Sequence, residues 1–143
     1  MAQASSAIAK PVPEPDDYSQ PFFEGAKNGV LVIRHCNTCR TFLAPVSKIC
    51  TECLGEDVEW RAVSGNGTLH TFGVMHQRYH PGFDAEIPYN IAVVQLDEGP
   101  RLQSNIVGCA NDKLRVGMAL VATFERAGED VFLPKFTPAQ EAR

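Results

Sequence analysis

Two C-x-x-C pairs with ten residues between them, Cys36/Cys39 and Cys50/Cys53, restrict this chain more than any other feature. Each pair can turn back on itself so that both sulfurs face one point, and ten residues suffice for a hairpin that brings the two turns together. Four thiolates then complete a tetrahedral site with no open position, so the metal builds the protein and does no chemistry. Such a site also compensates for a core too small to fold alone. Zinc is the commoner occupant; iron in a rubredoxin-like site uses the same ligands, so the spacing leaves both open. Four of the five cysteines are paired in this way, which fits a reducing compartment better than a disulfide framework.

The formal charge is −4 with every thiol neutral. Four thiolates and one divalent ion bring the loaded chain to about −6. A general nucleic-acid binder draws its affinity from Lys and Arg on phosphates, and this balance argues against that use. Arg34, His35, Arg40 and Lys48 lie near the ligands. They can offset the −2 charge of the loaded site, or they can bind phosphate. No stretch approaches the roughly 20 apolar residues of a membrane helix. The N-terminus lacks the basic start and apolar run of a secretory signal, so a cytoplasmic location is expected.

Residues 1–17, rich in Ala, Ser and Pro, read as a mobile tail. Residues 18–29 read as a short helix: Pro21 suits a first turn, Phe22, Phe23 and Ala26 share a face, and Gly29 can stop it. The two Phe side chains either pack on their own domain or dock on a partner. Residues 30–62 alternate short β-prone runs with the cysteine pairs. Residues 63–138 read as strands at Thr68–His76, Tyr89–Leu96, Arg101–Val107, Ala119–Glu125 and Val131–Phe136, separated by turn signals such as Gly65-Asn66-Gly67. Between the third and fourth, ANDKLRVGM offers one short helical turn at most. Five strands in about 75 residues suit a small closed barrel. The strand Tyr89–Leu96 is apolar on both faces, as expected for a wall covered on both sides. Residues 139–143 read as a solvated end.

Cys109 stands alone and reads as a small core residue. His70 and His76 would face the same side of a strand unless a bulge intervenes. No Gly-rich phosphate loop, Ser nucleophile elbow or second metal motif is visible. The chain is poorly equipped to be an enzyme by itself.

Several strings together resemble one family. PFFEGAKNGVLVIRHCNTC resembles its aromatic-rich helix leading into the first cysteine pair, and ICTEC followed by VEWRAVSGNGTLHTF its passage from ribbon to barrel. IPYNIAVVQLDEGPRLQSNIVG resembles the central barrel hairpin, and LRVGMALVATFE with LPKFTP the closing one. This is the zinc-ribbon and OB-fold family catalogued as domain of unknown function thirty-five, and the likeness runs from about Tyr18 to Pro138. It implies a mostly β fold: an N-terminal helix, a rubredoxin-like zinc ribbon, and a five-stranded OB-fold barrel. It also implies a non-catalytic subunit carrying structural zinc, in a hetero-oligomer with a thiolase-like or lipid-transfer-protein-like catalytic partner. That complex makes or breaks carbon–carbon bonds in acyl-CoA thioesters, and the CoA arm is a ligand of the complex.

Two departures from the family pattern are visible. Arg40 follows the first pair where Gly is usual, and Leu54 precedes Gly55 after the second. The usual Pro-Pro-Arg stretch reads Ala44-Pro45-Val46-Ser47, so Lys48 is the nearby candidate to meet a CoA phosphate. The expected contact surface for CoA and partner is Phe22, Phe23 and Lys48 with the loop QRYHPGFDAEI, which carries Arg78, Tyr79, His80 and Phe83. Tyr79 and Phe83 can alternatively cap the barrel end. The competing reading is a nucleic-acid module, with Phe72, Tyr79, Phe83 and Tyr89 as stacking groups and only Arg78 and Arg101 as nearby cations.

Overall fold

The computed structural model describes residues 8–139. The remainder of the two expected tails, residues 1–7 and 140–143, lies outside the described residues. From Ile8 the chain has no helix or strand until α1, yet it lies close against the barrel. A Cβ on Gly82 would stand 2.8 Å from the Lys10 backbone, and Lys10 Nζ pairs with Glu86 at 3.2 Å.

Helix α1 spans Gln20–Lys27. The turn before it is held by Asp16, whose carboxylate accepts from the Ser19 N–H at 2.7 Å and the Ser19 hydroxyl at 2.6 Å. The Ser19 hydroxyl, with its N–H, holds the Asp16 carboxyl below its usual range. At the other end Gly29 takes φ 75°, and the Val30 N–H closes on the Gly25 carbonyl at 2.8 Å. Gly25 meets β1 so closely that a Cβ would collide with the Val32 side chain. Only glycine allows the helix to approach this far.

The ribbon is a three-stranded antiparallel sheet of β1 (Val32–Cys36), β2 (Phe42–Leu43) and β3 (Val58–Ala62), with β1 in the centre. The second sheet holds β4 (Asn66–Met75), β5 (Tyr89–Leu96), β6 (Arg101–Ser104), β7 (Ala119–Arg126) and β8 (Phe132–Pro138) in the order β6-β5-β4-β7-β8. It curls into an OB-type half-barrel. Its two edge strands are joined beyond β6, where Ile106 bridges Phe136 in parallel and the Val107 N–H donates to the Phe136 carbonyl at 2.8 Å. Leu31 and Ile33 of the ribbon pack in the same buried cluster as Leu69, Val94, Leu120 and Phe136 of the barrel. Ribbon and barrel therefore share one core.

Several local expectations are corrected. The strand expected over Arg101–Val107 ends at Ser104, because Asn105 donates its side-chain amide to the Asn90 carbonyl and turns the chain toward β8. The last strand begins at Phe132 and runs two residues further than expected. Asn90, Ala92, Val94 and Leu96 of β5 are buried, whereas Ile91 and Val93 are only half-buried, so the outer face is not covered as expected. A bulge does intervene between Leu69 and Thr71, and β4 ends before His76; both histidines are exposed. The expected short turn is the 3₁₀ segment Asn111–Lys113, while a second 3₁₀ segment, Pro81–Glu86, was not visible in the sequence. No helix among the described residues is long and apolar enough to cross a membrane.

Candidate metal centre and helix-side groove

The cysteine pairs form two matching turns. In the first, the Arg40 N–H donates to the Cys36 carbonyl at 2.8 Å and the Cys36 N–H to the Thr41 carbonyl at 2.9 Å. In the second, Leu54 donates to Cys50 at 3.0 Å and Cys50 to Gly55 at 2.9 Å. Cys36 and Cys50 are buried, and Cys39 and Cys53 are exposed. The four sulfurs all lie within 4.8 Å of one another, with Cys36–Cys53 at 3.6 Å and Cys39–Cys50 at 3.4 Å. Tetrahedral zinc with sulfurs at about 2.3 Å separates them by about 3.8 Å. The donor set and its spacing fit such an ion.

The charges in the cluster call for a cation. The Thr41 hydroxyl, then the Thr41 N–H, lower the Cys39 thiol to about 6. The Cys39 N–H is the main group lowering Cys36. Gly55 donates its N–H to Cys53, yet the neighbouring Cys36 sulfur and burial outweigh it and push that thiol up to about 12. Four sulfurs this close cannot all ionise against one another. A divalent ion removes the conflict, with proton release on binding.

Of the departures from the family pattern, Arg40 and Leu54 lie at strained positions. Arg40 has φ 63° and Leu54 φ 61°, the left-handed region where a Cβ costs about 1–2 kcal/mol. Leu54 is 76% exposed and contributes little packing in return. Leu54→Gly is expected to stabilise the loaded protein by about 0.5–1 kcal/mol, after the entropy glycine adds to the unfolded chain. Thermal melts of zinc-loaded protein check this, and a lower Tm for the variant refutes it.

Beside the metal centre, α1, β3, β6 and the ribbon loop enclose a groove of about 710 Å³. Phe22, Phe23 and Lys48 line it, as do Tyr18, Trp60 and Arg101. Two of its lining rings, Tyr18 and Trp60, rest on Arg34, which is 8% exposed. The guanidinium lies 5.1 Å from the Tyr18 ring and 4.8 Å from the Trp60 ring, and donates to the carbonyls of Val58 at 2.9 Å and Ser47 at 3.3 Å. The Tyr18 hydroxyl donates to the same Ser47 carbonyl at 2.7 Å, and Lys48 Nζ lies 4.6 Å from the Tyr18 ring. Arg34 therefore binds aromatic faces and carbonyls. His35 is buried against Phe42, with ring centres 4.7 Å apart. The sequence reading missed Tyr18 and Trp60. The one signal for them was that Trp60 is the chain's sole tryptophan.

The structure does not bring the loop residues to this groove. Arg78 pairs with Asp84 of its own loop at 2.9 Å, with both side chains substantially exposed. His80 accepts the Gly82 N–H at 2.9 Å and caps the 3₁₀ segment. Phe83 packs between His80 and Tyr89, with ring centres 5.9 and 6.0 Å away. Tyr79 is 65% exposed. Phe83 lines a second cavity, where Cys109 is half-buried and packs against the core from its edge rather than lying inside it. Phe72 packs against the core, so the four candidate stacking aromatics do not form one platform.

Fold and site together define a rubredoxin-type ribbon with four cysteine ligands, fused to an OB-type barrel. Family models agree along the chain: residues 23–59 match the ChsH2 rubredoxin-like zinc ribbon domain and residues 60–125 the ChsH2 C-terminal OB-fold domain. A DUF35 domain-containing scaffold protein of Methanocaldococcus jannaschii is 34% identical over 96 residues, covering 66% of this chain and 67% of that protein. The chain belongs to this ChsH2/DUF35 family. A probable enoyl-CoA hydratase alpha subunit of Thermomonospora curvata is 39% identical over 118 residues, 82% of this chain but only 36% of that longer protein. Among solved structures, a chain of an Ltp2-ChsH2(DUF35) aldolase superposes with TM-score 0.78 at 35% identity, covering 89% of this chain and 98% of that one.

Proposed function

We propose that this chain is a zinc-containing, non-catalytic scaffold subunit of a hetero-oligomeric enzyme acting on acyl-CoA thioesters. Its catalytic partner is a lipid-transfer-protein-like or other thiolase-superfamily subunit of carbon–carbon bond chemistry. The near-complete overlap with the ChsH2 chain of the Ltp2-ChsH2 aldolase carries this reading. The residues support it as well. The cysteine cluster is closed, and among the described residues no nucleophile is paired with a base in a cleft. The single chain is expected to show no turnover on acyl-CoA substrates, and activity is expected only after reconstitution with the catalytic subunit. Saturable turnover by homogeneous single chain, lost on mutating one of its own residues, rules the scaffold reading out.

Within that complex, the helix-side groove is the surface we assign to the CoA arm. Aromatic faces at Phe22, Phe23 and Trp60 suit an adenine or pantetheine, and Lys48 and Arg101 are in no ion pair among the described residues, although Glu14 and Asp16 also line the groove. Phe23→Ala and Lys48→Ala are each expected to weaken CoA-ester affinity of the assembled complex by about 1–2 kcal/mol. Arg78→Ala is expected to do less, because Asp84 already engages that charge. Calorimetric titration of the complexes checks the order. A larger loss from Arg78→Ala than from either groove variant moves the CoA site to the loop.

A further inference from the structure

A second cavity, of about 380 Å³, opens between the 3₁₀ segment Pro81–Glu86, the stretch after β6, and the β7–β8 hairpin. Its size falls at the lower end of ligand sites, which run from about 300 to 1,000 Å³. We propose that this cavity binds a short-chain organic carboxylate, independently of the helix-side groove. Three observations converge on that chemistry.

The first is a supply of uncommitted positive donors. Lys135 Nζ donates to Asn105 Oδ1, a neutral acceptor, and is in no ion pair among the described residues. That leaves two of its three protons unassigned. Arg126 spends Nε on the Gly128 carbonyl at 3.0 Å and Nη2 on the Glu129 carbonyl at 2.6 Å, which leaves Nη1 free of any partner among the described residues. Both side chains line the cavity.

The second is the charge balance. Lys10 and Glu86 also line the cavity, but they neutralise each other in an ion pair at 3.2 Å. Glu125 offsets one of the two remaining cations, so the lining carries a net charge of about +1. That matches a monoanion and falls short of a phosphate dianion. A carboxylate with both oxygens available can accept from an ammonium and a guanidinium together, and such charge-assisted bonds are about twice as strong as neutral ones.

The third is a rigid floor beside apolar walls. Asn90 is 5% exposed; its amide donates to the Ile106 carbonyl at 2.8 Å and to Asn111 Oδ1 at 3.0 Å, and its oxygen accepts the Ile106 N–H at 2.7 Å. Asn105 donates to the Asn90 carbonyl and accepts from Lys135, and Asn111 donates to the Pro88 carbonyl at 3.1 Å. Every amide is committed, so the network holds Lys135 in place before any ligand arrives, and little ordering remains to be done on binding. Tyr89, Val107 and Leu133 provide apolar surface for the body of the acid. An inorganic anion would leave that surface unused.

The test is a ¹H–¹⁵N NMR titration of the zinc-loaded full chain with hexanoate, with the neutral isostere hexanamide, and with inorganic phosphate. Saturable shifts confined to amides near Tyr89, Val107 and Lys135 are expected with hexanoate only. Lys135→Met, and separately Arg126→Gln, are expected to weaken hexanoate by about tenfold or more each, with spectra otherwise native. No localised shift with hexanoate, an equal response to hexanamide, a stronger response to phosphate, or unchanged binding in both folded variants overturns the proposal.

Discussion

Cys50→Ser is expected to unfold the zinc ribbon and to loosen the barrel with it. Cys50 is 0% exposed and packs with Cys36 and Leu43 in the ribbon's own small cluster. That cluster is too small to hold three strands, one of them two residues long, without the metal. In zinc-finger peptides a structural ion supplies about 10–16 kcal/mol of apparent binding energy, against a net stability of about 5–15 kcal/mol for a whole domain. Losing most of the first is enough to cancel the second. A serine oxygen is a poor replacement for a thiolate among three remaining sulfurs, and it gives up the Glu52 N–H bond to sulfur at 3.4 Å. The effect extends beyond the ribbon, because Leu31 and Ile33 complete the barrel's core. Metal analysis, far-UV circular dichroism and amide exchange on β1 measure it. Chelator-treated wild type is expected to match the variant, and so is acidified protein, since protons compete with the ion for thiolate. Cys109→Ser, outside the cluster, is expected to keep one metal per chain. Native protection of β1 in Cys50→Ser, or folded wild type with less than about half an equivalent of zinc or iron, contradicts a structural site.

The metal centre was legible because its information is local. Two C-x-x-C turns and a ten-residue connection place four sulfurs together almost regardless of what surrounds them. The strands were legible in the same way, through turn signals such as Gly65-Asn66-Gly67; the alternation that buries Asn90, Ala92, Val94 and Leu96 was not, because apolar residues stand on both faces of β5. What depended on register was not legible. Phe22, Phe23 and Lys48 share a groove with Arg101, but Arg78 and Phe83 stand at the opposite end of β5, beyond Tyr89. Nothing in the spacing of those residues shows which end of a strand faces the ribbon. The bulge at His70 and the turn at Asn105 are likewise set by long-range partners, Val94 to Val93 across β4–β5 and the Asn90 carbonyl. The left-handed turns at Arg40 and Leu54 were visible only as missing glycines. Their geometry follows from the metal turns, which impose it on whatever residue occupies the position.

Arg34 is the clearest case of a residue whose neighbours in sequence suggest one role and whose neighbours in space give it another. Two positions before Cys36, it reads as a counter-charge for the metal centre. In the fold it joins α1's approach to the ribbon, with the Tyr18 and Trp60 rings on its guanidinium and two loop and strand carbonyls accepting from it. Charged hydrogen bonds of this kind contribute about 1.5–3 kcal/mol and desolvated cation–π contacts about 0.5–2 kcal/mol, with strong overlap between them. Arg34→Ala is therefore expected to cost roughly 3 kcal/mol, a Tm loss of about 10 °C in a chain of this size. Arg34→Lys keeps the charge but lacks the planar fork that reaches both carbonyls while lying on both rings, so it is expected to recover less than half. Arg34→Met, which restores volume without donors, separates packing from polarity. Trp60 is the sole tryptophan, so its emission reports the contact directly and should shift in the alanine and methionine variants. The consequence reaches the proposed CoA surface as well. Tyr18 and Trp60 form one side of the groove, and a complex carrying Arg34→Lys should lose CoA-ester affinity while keeping its full complement of zinc. An unchanged Tm together with unchanged Trp60 emission in Arg34→Ala would show that the guanidinium does not hold this face together.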